Sequence, residues 1–316
     1  MIDRNTLMNS INCPFELRVN EYTDIVQQSS LDWISEYTLL SRDADMHKIR
    51  QANMTAFVAY VYPEATLPRL QFTSDFLHWA FILDDYGDES ALGKNPAGLR
   101  QVLKRYHALL IGASTASPDS SPMEHAIVNL AQRIPQLSRP TALQTLLSGC
   151  EVYFEGMVWE AQNRELGVMP DLNTYIDMRP KAGALPPFLA LVDIAHDLTL
   201  SQNFLMHILV QELATAASNI TCWINDLLSL DKEISTGDVH NLILVIQREQ
   251  AISLDEAQSR ALVLCNDEMD RYLELEQRCR TELAAKYEYL DSYIAGLRTL
   301  MRGALDWTFE SMRYWD

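Results

Sequence analysis

Residues 76–89 read FLHWAFILDDYGDE, an apolar stretch that ends abruptly in four carboxylates, Asp84, Asp85, Asp88 and Glu89, within six residues. Phe76, Trp79, Ala80 and Leu83 recur at i, i+3, i+4 and i+7, the period of a helix with a buried side. The acidic cluster therefore falls at the carboxyl end of that helix, where the helix dipole disfavours negative charge by roughly 0.3–1 kcal/mol per exposed group. Asp84 and Asp88 lie four apart, in line with Phe76 and Ala80, so the carboxylates point where the apolar side points. A bound cation would offset their repulsion. A solvated helix end in an acidic protein accounts equally well for such a cluster taken alone.

The same periodicity returns at Leu262, Cys265, Met269, Tyr272 and Leu273, after a capping box formed by Ser253 and Glu256. Strand-like alternation is hard to find. With 48% hydrophobic residues and only 11 Gly and 12 Pro among 316, the composition suits long helices around a large core, and an all-α fold is expected. The punctuated segments are residues 112–122 (GASTASPDSSP), the stretch from Pro135 to Pro140, and a break at Pro186 and Pro187. No linker divides the chain into two cores, so residues 1–316 read as a single domain.

A formal net charge of −18 argues against nonspecific nucleic-acid binding, which needs clustered Lys and Arg. An anionic substrate then requires a local exception, and carboxylates holding divalent cations supply one. The five cysteines, Cys13, Cys150, Cys222, Cys265 and Cys279, have no CxxC spacing and read as reduced core residues of a cytoplasmic protein. Asp3 and Arg4 stand where a signal peptide would be basic and then apolar. The most apolar runs are too short for a membrane span.

A second oxygen-rich face lies far along the chain. In CWINDLLSLDKE, residues 222–233, Asn225, Ser229 and Glu233 stand at i, i+4 and i+8, which stacks an amide, a hydroxyl and a carboxylate on one side of a helix. Mg²⁺ takes hard oxygen donors and keeps places for waters and substrate phosphates, so few protein ligands suffice. In isolation the triad is better read as a polar helix face or a buried hydrogen-bonded network, and it is the presence of two oxygen-rich faces in one chain that shifts the balance.

Taken together the motifs resemble those of the bacterial-type class I terpene synthases, from about residue 55 to the carboxyl end. Asp84 to Asp88 match the DDxxD motif, and Asn225, Asp226, Ser229, Lys232 and Glu233 match NDxxSxxKE. Arg179, 46 residues before Asn225, stands where that family carries its diphosphate-sensing arginine. Arg313 and Tyr314 match its Arg-Tyr pair, and Trp307 stands at an active-site aromatic position. Pro63, WEAQNR (residues 159–164), Tyr175 and GDVHN (residues 237–241) add support. One departure is Ala182, which occupies the place of a polar linker between sensor and helix break, with Gly183 as the effector position.

The resemblance implies a helical bundle around a central apolar cavity and three Mg²⁺ ions. Asp84, Asp85 and Asp88 would serve the first metal motif and Asn225, Ser229 and Glu233 the second. Arg179, Lys232, Arg313 and Tyr314 would hold the diphosphate of an isoprenoid substrate. The expected reaction is ionisation of an allylic diphosphate and cyclisation of the cation, with a C15 chain ranked before C20 and C10. Phe57, Phe81, Tyr153 and Trp307 are candidate cation-facing aromatics; Cys150 and Cys222 read as core, and no chemistry is assigned to His78 or His240. Rival readings are a diterpene synthase, a chain-elongating prenyl transferase and a non-catalytic helical binding protein. A homodimer is also expected.

Overall fold

The computed structural model describes residues 2–40 and 42–314, except the side chains of Asp88, Glu89 and Tyr314. No strand occurs among the described residues. The helices are α1 (Arg4–Ser10), α2 (Thr23–Glu36), α3 (Asp43–Ala52), α4 (Met54–Val61), α5 (Leu67–Glu89), α6 (Pro96–Leu110), α7 (Pro122–Leu137), α8 (Pro140–Leu166), α9 (Leu172–Ala182), α10 (Leu185–His196), α11 (Gln202–Leu205), α12 (Ile208–Thr236), α13 (Leu242–Gln250), α14 (Leu254–Leu283) and α15 (Leu290–Glu310). Single 3₁₀ turns follow α5 (Ala91–Lys94) and α15 (Met312–Tyr314).

The two motif-bearing helices are buried through much of their length. Along α5, Leu70, Phe72, Phe76, Leu77, Trp79, Ala80, Ile82 and Leu83 are all buried, and α12 is buried through most of its length from Leu209 to Leu230. A helix that is apolar around its whole circumference belongs inside a bundle. Accordingly α12 packs against α14 and α15, α5 packs against α2, α4 and α7, and α8 packs against α6, α9 and α10. None of the described helices is long and apolar enough to cross a membrane.

Local signals set the helix ends. The Ser253–Glu256 capping box opens α14 as expected, and a second one, Ser121 with Glu124, opens α7 after the loop. Pro135 sits inside α7 rather than ending it. The break ahead of α10 comes earlier than the prolines suggest: α9 ends at Ala182, Gly183 caps it, and Ala184 adopts a left-handed conformation (φ 59°). Pro186 and Pro187 then occupy the first turn of α10, where a missing N–H costs nothing. Two glycines of α8 seat this break. A Cβ on Gly156 would stand 2.5 Å from the Ala182 backbone nitrogen, and one on Gly149 would stand 2.8 Å from the Pro186 carbonyl carbon. Close approach of backbone to backbone is what glycine permits here.

A buried polar network ties α2, α4, α5 and α7 together away from the acidic cluster. Ser30 donates to Asp75 at 2.7 Å, Arg133 pairs with the other oxygen of Asp75 at 2.7 Å, and His78 Nδ1 lies 2.8 Å from the Ser74 carbonyl oxygen. Burial pushes His78 down from 6.5 to about 4, against the raising effect of its bond to Ser74. The unfolded chain therefore binds more protons between those two values, and stability falls as pH falls through that window. Between about pH 7.5 and pH 5, urea unfolding should show wild type losing about 2 kcal/mol more than His78→Gln. Equal losses in both proteins would contradict this role for His78.

Candidate active site

A cavity of about 770 Å³ opens among α4, α5, α8, α9, α10, α12 and α15. Its wall carries Asp84 and Asp85 from α5 together with Asn225, Lys232 and Glu233 from α12. The two oxygen-rich faces, 141 residues apart from Asp84 to Asn225, thus meet across one space. Arg179, Gly183 and Arg313 line the same cavity, as do Phe57, Phe81, Tyr153 and Trp307. Ser229 stands behind the wall, buried, and donates to Glu233 Oε1 at 2.7 Å. The side chains of Asp88 and Tyr314 lie outside those described.

At the α5 end, Arg313 reaches back from beyond α15 and donates to both oxygens of Asp85, at 2.6 and 3.1 Å. Its guanidinium also lies 5.1 Å from the centre of the Phe81 ring. The Tyr153 hydroxyl approaches Asp84 Oδ1 at 3.4 Å. Burial, and next the neighbouring Asp85 carboxylate, push Asp84 up to about 6.

At the α12 end the acids are held differently. Asn225 Oδ1 accepts from Arg179 Nη2 at 2.9 Å, while its neighbour Asp226 turns away from the cavity and is fully buried. Asp226 accepts from Arg179 Nε at 2.9 Å, from the Tyr175 hydroxyl at 2.6 Å and from the Leu242 N–H at 3.1 Å. Burial works against the Arg179 charge, but the Asp226 carboxylate overrides it and holds the guanidinium well above its ordinary value. Asn241 donates to Glu233 Oε2 at 2.5 Å and to the Asp226 carbonyl at 2.8 Å. Burial, and after it Asp226, push Glu233 up to about 8. Burial likewise lowers Lys232, with Arg313 nearby adding to the effect.

At each end of the polar wall burial thus displaces one carboxyl, Asp84 or Glu233, toward its neutral form. Among the described residues, no three His, Cys, Asp or Glu side chains converge as a ready-made metal cage. A donor set of separated carboxylates, an amide and a hydroxyl suits an ion that takes its remaining oxygens from a substrate. Gly183 touches the arginine directly: a Cβ there would stand 2.9 Å from Arg179 Nη1 and 3.1 Å from Cys222 Sγ. That contact needs no polar side chain at Ala182.

The cavity lining also holds an aromatic cluster, which adjoins the acidic end of α5 through Phe81. Phe57 lies 4.9 Å from Trp307 and 5.8 Å from Phe188 between ring centres, and Phe81 meets Trp307 edge-on at 5.8 Å. The Trp307 indole is anchored by donation to the Ala52 and Asn53 carbonyls, at 2.9 and 3.1 Å.

Residues 75–271 match the family model described as "Terpene synthase family 2, C-terminal metal binding". The chain belongs to the terpene synthase family. The synthase is 34% identical to "Germacrene A synthase" of Nostoc punctiforme over 98% of its own length and 95% of that protein's. It is 33% identical to "(+)-T-muurolol synthase ((2E,6E)-farnesyl diphosphate cyclizing)" of Roseiflexus castenholzii, covering 95% and 92% of the two chains. In fold it is similar to the SVS_A2 protein from ancestral sequence reconstruction, with a TM-score of 0.87 at 26% identity over 94% and 89% of the chains. The crystal structure of germacradien-4-ol synthase from Streptomyces citricolor superposes with a TM-score of 0.84 at 23% identity over 98% and 99% of the chains, a likeness of fold.

The synthase's site also contains residues to which sequence reading gave no role. Phe188 completes the aromatic wall, Tyr175 and Asp226 hold the arginine, and Asn241 clamps Glu233. Cys222, read as core, lines the cavity, and burial keeps its thiol neutral by pushing it up to about 12. His240, buried and part of the cavity lining, has ring nitrogens placed 2.8 Å from Asp238 and 3.1 Å from Asn163.

Proposed function

We propose that the synthase binds farnesyl diphosphate with Mg²⁺, ionises it and cyclises the C15 cation to a sesquiterpene, releasing diphosphate. The observation that carries this reading is one cavity whose lining brings carboxylates and cations from two helices together with a cluster of aromatic rings. Its volume falls within the roughly 300–1,000 Å³ usual for small-molecule sites. The C15 chain is supported by the relative whose name specifies cyclisation of (2E,6E)-farnesyl diphosphate.

Asp84, Asp85 and Asp88 on α5, and Asn225, Ser229 and Glu233 on α12, are the residues that would hold three Mg²⁺ ions. When bound, Mg²⁺ would neutralise the diphosphate and stabilise the charge it gains as a leaving group. Arg179, Lys232, Arg313 and Tyr314 donate charge-assisted hydrogen bonds to the same group. Asp226 and Tyr175 hold Arg179 in place before substrate arrives, which lowers the reorganisation needed at ionisation. Binding exchanges the Arg313–Asp85 and Arg179–Asn225 contacts for contacts with phosphate. Phe57, Phe81, Phe188 and Trp307, with Tyr153 closer to the acids, exclude water and present ring faces, each attracting a cation by about 0.5–2 kcal/mol.

The whole chain acts as one catalytic domain in this proposal, in the cytoplasm and as a homodimer. The test is incubation of purified protein with C10, C15 and C20 allylic diphosphates, with and without Mg²⁺, followed by product analysis. Cyclic C15 hydrocarbons or alcohols are expected only with metal. Preferential turnover of the C20 substrate would favour a diterpene synthase, and consumption of isopentenyl diphosphate would favour chain elongation.

A further inference from the structure

Arg313 reaches the cavity from a single 3₁₀ turn, Met312–Tyr314, too short to fix its own position. Two residues outside the cavity wall supply that position. Ser311, the buried C-cap of α15, donates through Oγ to the Ala52 carbonyl at 3.0 Å and accepts from the Arg313 N–H at 3.2 Å. Ala52 closes α3, and Asn53, in a left-handed conformation (φ 48°), leads directly into α4. The same Ala52 carbonyl accepts from Trp307, so one kink in the chain anchors both the aromatic wall and the Arg313 turn.

Arg4, from the opposite end of the sequence, secures the other side of this turn. Its Nη2 donates to the Thr308 and Phe309 carbonyls at 2.6 and 2.9 Å, and its guanidinium lies 5.5 Å from the centre of the Phe309 ring. Those carbonyls belong to the last turn of α15, where no intrahelical donor remains, and a cation there also complements the helix dipole. The first turn of α1 therefore caps the helix that delivers Arg313. A displacement of about 1 Å in a group that grips a substrate is enough to cost a large part of its effect.

We propose that Ser311 and Arg4 are positioning residues that hold Arg313 where its guanidinium meets the diphosphate; this rests on the reading of Arg313 as a diphosphate donor. Neither touches substrate. Both act through Arg313, and that makes a double-mutant cycle decisive.

The measurement is calorimetric affinity of the full chain for inorganic diphosphate in Mg²⁺, for Ser311→Ala, Arg4→Ala, Arg313→Ala and the two double variants. Each single change is expected to weaken binding about tenfold, with Ser311→Thr restoring it. In the Arg313→Ala background, Ser311→Ala and Arg4→Ala should add no further loss beyond about twofold. A full additional loss in that background, or no loss from the single changes, overturns the inference while leaving Arg313 as a ligand. An Arg313→Ala protein that binds as wild type overturns the underlying reading and the inference with it. Should Ser311→Ala fail to fold, the Arg4 arm of the cycle decides alone.

Discussion

Replacing Asp84 or Asn225 by Ala is expected to lower turnover by about 10² to 10³ while leaving the helical circular dichroism nearly unchanged. Each residue belongs to one of the two polar faces, and the faces meet only across the cavity, so loss of either leaves the leaving group without part of its counter-charge. The fold does not depend on them. Asp84 stands beside Asp85 with burial already disfavouring its charge, so its removal relieves repulsion at the cost of only long contacts, to the Tyr153 hydroxyl at 3.4 Å and to Arg313 at 4.0 Å. Thermal unfolding of metal-free Asp84→Ala should therefore match or exceed that of wild type, a familiar exchange of stability for function at active sites. Loss of helical signal in both variants would assign them structural roles instead.

Asp226→Ala should have the opposite profile and destabilise the protein by roughly 3–5 kcal/mol. Its carboxylate is fully buried and serves three donors at once, Arg179, Tyr175 and the Leu242 N–H, tying α9, α12 and the start of α13 together. Truncation leaves a guanidinium with only 12% of its side chain exposed, and a buried phenol, without their common acceptor. The asymmetry matters: removing one partner of a buried pair costs far more than the pair itself contributes. A fall of roughly 5–15 °C in the thermal midpoint is expected. Asp226→Asn, which keeps an acceptor oxygen, should lose less. An Asp226→Ala protein as stable as wild type would show that Arg179 is held by something other than this carboxylate.

The contrast between Asp226 and Asn225 also marks how far sequence reading carries. Adjacent residues on a helix point about 100° apart. The spacing of Asn225, Ser229 and Glu233 predicted a common face, and the structure places Asn225 and Glu233 on the cavity wall. The direction of Asp226 was equally implied, but its partners were not, because Tyr175 lies 51 residues away and only the packing of α9 on α12 brings it near. The Arg313–Asp85 pair spans 228 residues and was invisible for the same reason. Helix periods and caps were legible since they depend on neighbours within a turn or two. Phe188 was missed because a lone aromatic after two prolines carries no sign of which side it faces. Cys222 is core, as read, and it also lines the cavity, which was not legible because burial against protein and burial against an internal cavity demand the same apolar character. The helix break was misplaced by a few residues because proline marks where a helix can begin, whereas the left-handed Ala184 that breaks the chain has no propensity signature.

The most direct measurement is a crystal structure of the chain with inorganic diphosphate and Mn²⁺ in place of Mg²⁺, with the metals located by anomalous scattering. Metal peaks beside the α5 carboxylates and beside Asn225 and Glu233, joined through a single diphosphate that Arg179 and Arg313 also contact, are expected. Diphosphate bound away from this cavity, or metal on only one of the two faces with the anion held by that face alone, would contradict the shared site.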